Sequence, residues 1–289
     1  MDLMNRINRG LEKAIAHATS TTQPPTICAA VKHAVFSGGA RIRPRLTLAV
    51  ASACGDTNPE AADAAAVAFE LMHCASLVHD DMPCFDNAGM RRGVPSIHAK
   101  FGEPIALLTG DALIVLAMET IARECALTPA LTSPLIAIVS RAVGTPHGIV
   151  AGQAWEIEDD IPLTEYHRAK TASLFTGACA AGAVSAGHDP QKWMSVGAAL
   201  GAAYQVADDL RDIAGTADEI GKPCGQDAAN HKPNYAEQNG VEATLIRLKT
   251  LVGNAVDSVP ECPGAPMLRQ MIEGEAIRLV PKKLASFAA

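Results

Sequence analysis

Aromatic side chains are scarce: 2 Trp, 3 Tyr and 6 Phe make up 4% of 289 residues. Runs in which β-branched residues alternate with polar ones are few, which argues against a β-sandwich or barrel. The eight cysteines, at 28, 54, 74, 84, 125, 179, 224 and 262, never form a C-x-x-C pair. A zinc knuckle or thioredoxin-type centre is thereby excluded. Neither a Walker A loop nor a G-x-G-x-x-G turn occurs, so phosphate is not bound in the P-loop or Rossmann manner. Every apolar stretch of 18 residues is interrupted by a charge, which argues against a transmembrane span. The N-terminal MDLMNRINRGLEKAIAHA has charges throughout and no apolar core, unlike a signal peptide. Reduced thiols and a cytoplasmic location are expected. A net charge of −7 disfavours a nucleic-acid partner, although a small anionic substrate remains compatible with local cations.

What the chain does have is helix-forming sequence. Hydrophobic residues make up 48% of it, and alanine is abundant. Leu3, Ile7, Leu11 and Ile15 recur at helical spacing over residues 2–18. Helical stretches are expected at 45–54, 60–82, 104–124 (interrupted at Gly110-Asp111), 130–145, 163–187, 192–213, 241–258 and 265–287. Residues 214–236 have no periodicity and read as a loop. With about ten helices, no βαβ alternation, no repeat and no linker, the expected fold is all-α. It is a single-domain antiparallel helix bundle over residues 1–289 with a central active-site cavity.

Two acidic clusters stand out. The first is His79-Asp80-Asp81, followed by Asp86 and then Arg91-Arg92-Gly93; the second is Gln205, Asp208, Asp209 and Asp212. On a helix, Asp208 and Asp212 share a face with Asp209 beside them. Pro83 breaks or bends the first helix, so Asp86 must return from the turn that follows. Carboxylates this close repel, and a hard divalent cation that keeps several waters, such as Mg²⁺, compensates them. A single such cluster is ordinarily a solvated helix end; two of them on apolar helices, each near basic residues, are not. Arg41, Arg43 and Arg45 follow Gly38-Gly39, Lys170-Thr171 lies mid-helix, and Lys222 and Lys232 lie in the loop after the second cluster. Two carboxylate clusters with several cations suit a metal-bridged diphosphate. His73 lies seven residues before Asp80 and so on nearly the same helix face. A metal hydrolase built on His79-Asp80 lacks its other histidines at recognisable spacings.

In order, GGARIRP (38–44), ELMHCASLVHDDMPCFDNAGMRRG (70–93), AGQAWE (151–156), KTASLF (170–175), YQVADDLRD (204–212), GKPCGQD (221–227) and HKP (231–233) strongly resemble the trans-isoprenyl diphosphate synthases. The likeness runs from about residue 30 to 235 and is greatest to the bacterial geranylgeranyl and farnesyl diphosphate synthases. It implies the isoprenoid synthase fold, a homodimer, and a prenyltransferase of carotenoid or bacteriochlorophyll biosynthesis with two to three Mg²⁺ ions. Its substrates are isopentenyl diphosphate and the dimethylallyl, geranyl and farnesyl diphosphates. The resemblance assigns Asp80, Asp86 and Asp208 to the metal, with Asp81, Asp209 and Asp212 as ligands or in support. Arg91, Lys170, Lys222 and Lys232 hold the departing diphosphate, Thr171 and Gln205 face the allylic cation, and Arg43, His73 and Arg92 hold isopentenyl diphosphate. These roles make Asp80, Asp86, Arg91, Lys170, Thr171, Gln205 and Asp208 the catalytic set.

The chain departs from the family pattern at several points. Ala40 stands where a Lys usually follows Gly-Gly, which leaves Arg41 or Arg45 as replacements for the cation or a weaker site. Glu156 stands for the usual Asp, and Lys232-Pro233-Asn234 for Lys-x-Thr. In this family the side chains ahead of the first aspartates floor the product tunnel. Ala75 occupies the position where short-chain farnesyl enzymes carry an aromatic, and Met72 is the next floor. The expected product is C20, geranylgeranyl diphosphate. The alternatives are a C15 farnesyl diphosphate synthase and a non-catalytic partner subunit, although such partners typically lose an acidic cluster. A terpene cyclase has no need of both Gly-Gly-x-Arg and Arg-Arg.

Overall fold

A computed structural model describes residues 2–19, 22–214 and 234–279. Fourteen α-helices follow one another among these residues: α1 Leu3–Ala18, α2 Pro25–Phe36, α3 Ile42–Ala53, α4 Pro59–Asp80, α5 Ile97–Phe101, α6 Glu103–Glu124, α7 Pro129–Val143, α8 Ile149–Trp155, α9 Leu163–His167, α10 Ser173–Ser185, α11 Gln191–Ala214, α12 Tyr235–Asn239, α13 Val241–Asp257 and α14 Ala265–Leu279. A two-stranded antiparallel ribbon, β1 Met90–Arg91 with β2 Val94–Pro95, interrupts them after α4. The all-α expectation is borne out. The spacing did not separate out α2, the short helices α5, α8 and α12, or the ribbon.

Helix α4 forms the centre. Pro59 sits in its first turn, where its missing N–H costs nothing. Its alanines then let α3, α6 and α10 approach closely around buried Phe69, Leu71 and Met72. By length and composition α4 and α6 could each cross a membrane, but 78% of the apolar window of α4 lies inside the protein. That share is what a core helix requires. Gly110 does not interrupt α6 as the sequence suggested. It seats His79: a Cβ there would fall 1.9 Å from His79 Nε2. The glycine is a packing requirement rather than a helix end.

Helix α11 spans two apolar clusters. Trp193, Val196 and Leu200 belong to the main core, whereas Ala203, Val206, Ala207 and Leu210 pack with Ala236, Leu248 and Leu251 of α12 and α13. The second acidic cluster therefore sits where α11 leaves the main core. The stretch read as one helix over 163–187 is α9, a π-helical turn at Arg168–Ala172, and α10. π-turns inside α-helices are frequent at functional sites, and this one carries Lys170 and Thr171.

Candidate active site

The first acidic cluster closes as a turn. After α4 ends, the Asp86 N–H donates to the Asp80 carbonyl (3.0 Å) and the Ala88 N–H to that of Asp81 (3.0 Å). Asp86 is thus returned beside Asp80, as the position of Pro83 implied. Ligand oxygens of Asp80, Asp86 and Glu156 all lie within 4.8 Å of one another. Three hard oxygen donors at that spacing fit Mg²⁺, which takes few protein carboxylates and keeps its waters. Glu156 is the member that sequence reasoning left out of the site, although its position after Gly152-Gln153 was the signal. It ends α8 and receives Lys170 Nζ at 2.5 Å, while the same ammonium lies 3.5 Å from Asp80. This approach requires Gly152, where a Cβ would lie 2.4 Å from the Lys170 backbone nitrogen.

Asp81 is turned differently. It is 3% exposed, and Arg91 grips it through Nε (2.9 Å) and a terminal nitrogen. Burial pushes its carboxyl up, against the pull of Arg91. Arg91 also reaches within 3.9 Å of Asp80. Of the two roles the resemblance allowed Asp81, this geometry fits support for Arg91 rather than direct ligation. Arg92 and Gly93 both have positive φ (54° and 77°) at the tip of the ribbon, as a two-residue type I′ loop requires. A non-glycine residue in that conformation is strained. Here Arg92 is anchored by the Gly38 carbonyl (2.5 Å) and lies 3.4 Å from His73 Nε2. A Cβ at Gly39 would fall 2.5 Å from the Arg92 guanidinium, so the Gly-Gly pair is the cradle of this arginine.

Burial holds His73 well below the usual histidine range, and Arg43, Arg92, Arg91 and Arg41 add to the effect. It is a neutral ring among cations. Arg43 stacks over Phe175 (4.8 Å to the ring centre), which also packs on Tyr204. Arg43 Nε is buried without a hydrogen-bond partner among the described residues. Burial lowers its pKa, and Glu70, Tyr204 and Asp208 pull the other way. Neither candidate replacement for the Lys absent at Ala40 faces this site as a spare cation. Arg41 is 7% exposed and bound to Glu70 (2.5 Å) and the Val35 carbonyl; Arg45 pairs with Glu275 (2.6 Å).

At the second cluster, Thr171 Oγ1 donates to Gln205 Oε1 (2.6 Å), and Gln205 Nε2 donates to Asp209 Oδ1 (2.9 Å). The other Asp209 oxygen accepts from the Tyr235 N–H (3.0 Å). Asp209 is 1% exposed and ties α11 to the start of α12; Asp208 is exposed and lies 3.3 Å from Arg211. Asp212 is buried. Among the described residues, the three acids of α11 are not gathered as Asp80, Asp86 and Glu156 are. Asn234 accepts from the Ala236 and Glu237 N–H groups as the N-cap of α12, and donates to the Asp209 carbonyl (3.2 Å). Asn is as good a cap as the usual Thr, so that departure keeps its structural chemistry. Ala75 and Met72 are 2% and 1% exposed in α4. Lys222 and Lys232 lie outside the described residues.

Helices here bring carboxylates and cations together around the adjacent Lys170 and Thr171, an arrangement suited to a metal-bridged diphosphate. Comparison with known proteins agrees. Residues 24–261 match the polyprenyl synthetase family. The chain is 48% identical over 286 residues to a geranylgeranyl diphosphate synthase of Cereibacter sphaeroides, covering 99% of each. It is 35% identical over 244 residues to a farnesyl diphosphate synthase of Geobacillus stearothermophilus, covering 80% of this chain and 82% of that one. A geranyltransferase from Helicobacter pylori, solved with magnesium and isoprenyl diphosphate, superposes with a TM-score of 0.80 at 26% identity, over 96% of this chain and 98% of that one. The apo FPP/GFPP synthase of Zymomonas mobilis gives 0.79 at 29% identity, over 95% and 99%. The chain belongs to the polyprenyl synthetase family.

Proposed function

We propose that the chain condenses isopentenyl diphosphate head-to-tail with dimethylallyl, geranyl and farnesyl diphosphates, ending at geranylgeranyl diphosphate and releasing diphosphate. The observation that carries this reading is the placement of two consecutive residues: Lys170 lies 3.5 Å from Asp80, and Thr171 is bonded to Gln205 three residues before Asp208. A 48% identical relative bearing the name geranylgeranyl diphosphate synthase supports the C20 product. All 289 residues are read as one catalytic domain, with a homodimeric, cytoplasmic enzyme serving carotenoid or bacteriochlorophyll synthesis. Leu107, Leu108 and Val115, exposed on α6, are the face offered to the second copy.

Asp80 and Asp86 with Glu156, and Asp208 with Asp212, hold two to three Mg²⁺ ions in this reading. Bound there, Mg²⁺ supplies charge neutralisation to the allylic diphosphate as its C–O bond breaks. Lys170 and Arg91 add fixed positive charge beside it, as do Lys222 and Lys232 by family likeness. The bonding pair leaves with the diphosphate, and the allylic carbon becomes cationic. Thr171 and Gln205 set oxygen dipoles towards that carbon. Arg43, Arg92 and neutral His73 hold isopentenyl diphosphate so that its double bond attacks the same carbon. The new cation then loses a proton, for which the released diphosphate is the acceptor. Binding two diphosphates in one orientation, away from water, supplies most of the acceleration.

The test is a product assay with purified protein, Mg²⁺, labelled isopentenyl diphosphate and each allylic primer in turn. The expected result is a C20 alcohol after dephosphorylation from all three primers. A C15 end-product retains the chemistry and overturns the product length. No Mg²⁺-dependent product overturns the reading in favour of a non-catalytic partner subunit.

A further inference from the structure

Glu156 is one methylene longer than the aspartate its family usually has, and a longer carboxylate has one more torsion to fix. The structure contains a device that does this. Tyr166, on α9, is 6% exposed, and its hydroxyl donates to Glu156 Oε1. The same oxygen receives Lys170 Nζ at 2.5 Å, and Oε2 accepts from Gln153 Nε2 at 3.2 Å. Tyr166 precedes the π-turn Arg168–Ala172 and Lys170, four residues on, lies within it, and both converge on one carboxylate oxygen. A buried phenol finds some polar partner in any fold. Here the partner belongs to the group whose oxygens lie within 4.8 Å of Asp80 and Asp86.

We propose that Tyr166 is a positioning residue for divalent-cation binding: its hydroxyl fixes Glu156 so that this carboxylate faces the cation beside Asp80 and Asp86 while still holding Lys170. The proposal rests on the metal-dependent reading above. Groups that orient a ligating side chain typically change metal affinity 10–100-fold when removed, without touching the metal.

The experiment is a Mn²⁺ titration of the full chain with inorganic diphosphate present, followed by electron paramagnetic resonance, with melting temperatures measured in parallel. Tyr166→Phe removes the hydroxyl and retains the ring. It is expected to weaken Mn²⁺ binding by on the order of tenfold and to raise the Mg²⁺ concentration giving half-maximal turnover by a similar factor. The KM for isopentenyl diphosphate should be unchanged. In a Glu156→Asp background, whose shorter arm draws the carboxylate away from the Tyr166 hydroxyl, Tyr166→Phe should have no further effect on Mn²⁺ binding. Wild-type Mn²⁺ affinity in Tyr166→Phe, with only a lower melting temperature, overturns the proposal and leaves the residue as packing. Failure of the unaltered chain to bind Mn²⁺ or form product overturns the metal-dependent reading itself, which separates the two failures.

Discussion

Thr171 and Gln205 meet at 2.6 Å, Oγ1 to Oε1, across the contact between the π-turn and α11. The hydroxyl proton is therefore committed to the amide, and the threonine lone pairs are left to face other groups. The amide is held in turn, because its Nε2 is bonded to buried Asp209. Close packing brings the two elements together: a Cβ at Gly201 would lie 2.4 Å from the Ala172 Cα.

Thr171→Val retains the shape and removes the oxygen. If that oxygen acts on the developing allylic cation, it acts on the transition state more than on bound substrate. The expected result is a 10- to 100-fold fall in kcat, about 1.4–2.7 kcal/mol, with KM for isopentenyl diphosphate little changed. Single-turnover rates on the geranyl primer measure it. Gln205→Ala should give a similar loss and the double variant less than the sum, since the two act as one unit. Full additivity would show that they act separately.

Gly152→Ala tests how Lys170 is placed. The added methyl meets backbone, 2.4 Å from the Lys170 nitrogen and 2.5 Å from its Cα, and backbone cannot turn aside. Overpacking of this kind costs about 1–3 kcal/mol, or a few degrees of melting temperature for each kcal/mol in a protein of this size. Catalysis should fall further than stability explains, because moving the π-turn moves Lys170 relative to Asp80. Gly253→Ala is the control: on the exposed side of α13 its Cβ meets nothing within 4 Å, and the change should be neutral or slightly stabilising.

His73 gives a pH prediction. Its folded pKa lies well below 6.5 because burial and four arginines disfavour the charged ring. Below about pH 6.5 the unfolded chain protonates this histidine while the folded chain does not. The unfolded state then binds more protons, so stability falls as pH falls, by up to about 1.4 kcal/mol per unit, until the folded pKa is reached. Above pH 7 the group contributes no slope. His73→Asn should flatten urea midpoints between pH 6.5 and 5, with His167, also lowered by burial, retaining part of the slope. An unchanged slope would mean that the ring is protonated in the folded protein.

Helix periodicity and the charged motifs made the bundle and most of the site legible, because both depend on residue types at fixed spacing. The return of Asp86 followed from Pro83, whereas the seven-residue interval bore only on His73 and Asp80, and the proximity of His73 to Arg92 came from the fold. Other features depended on contacts between distant segments, which spacing does not encode. Gly110 looked like a helix break because its role is to admit His79 from another helix. Tyr166 left no signal, since a tyrosine four residues before a lysine is ordinary until α8 brings Glu156 against both. Arg41 and Arg45 looked like spare cations beside Ala40, and only the fold reveals Glu70 and Glu275 waiting for them.

In the proposed reading product length turns on Ala75, which is 2% exposed on the central helix five residues before Asp80. Five helical residues advance about 7.5 Å, the depth of one to two isoprene units, so bulk here shortens the space below the diphosphate. On an ideal helix Ala75 lies well round from Asp80, and the floor role therefore rests on the family likeness. Ala75→Tyr inserts a ring into packed surroundings and should cost about 1–3 kcal/mol of stability. Provided the variant still folds, the end-product should shift from C20 to C15, with turnover on the dimethylallyl primer retained and elongation of farnesyl diphosphate lost. Met72→Ala, one turn deeper, should act in the opposite direction and permit a fraction of longer products. If Ala75→Tyr makes C20 as the parent does, the growing chain does not pass this point, and the floor must be formed by α4's neighbours α3, α6 or α10 instead.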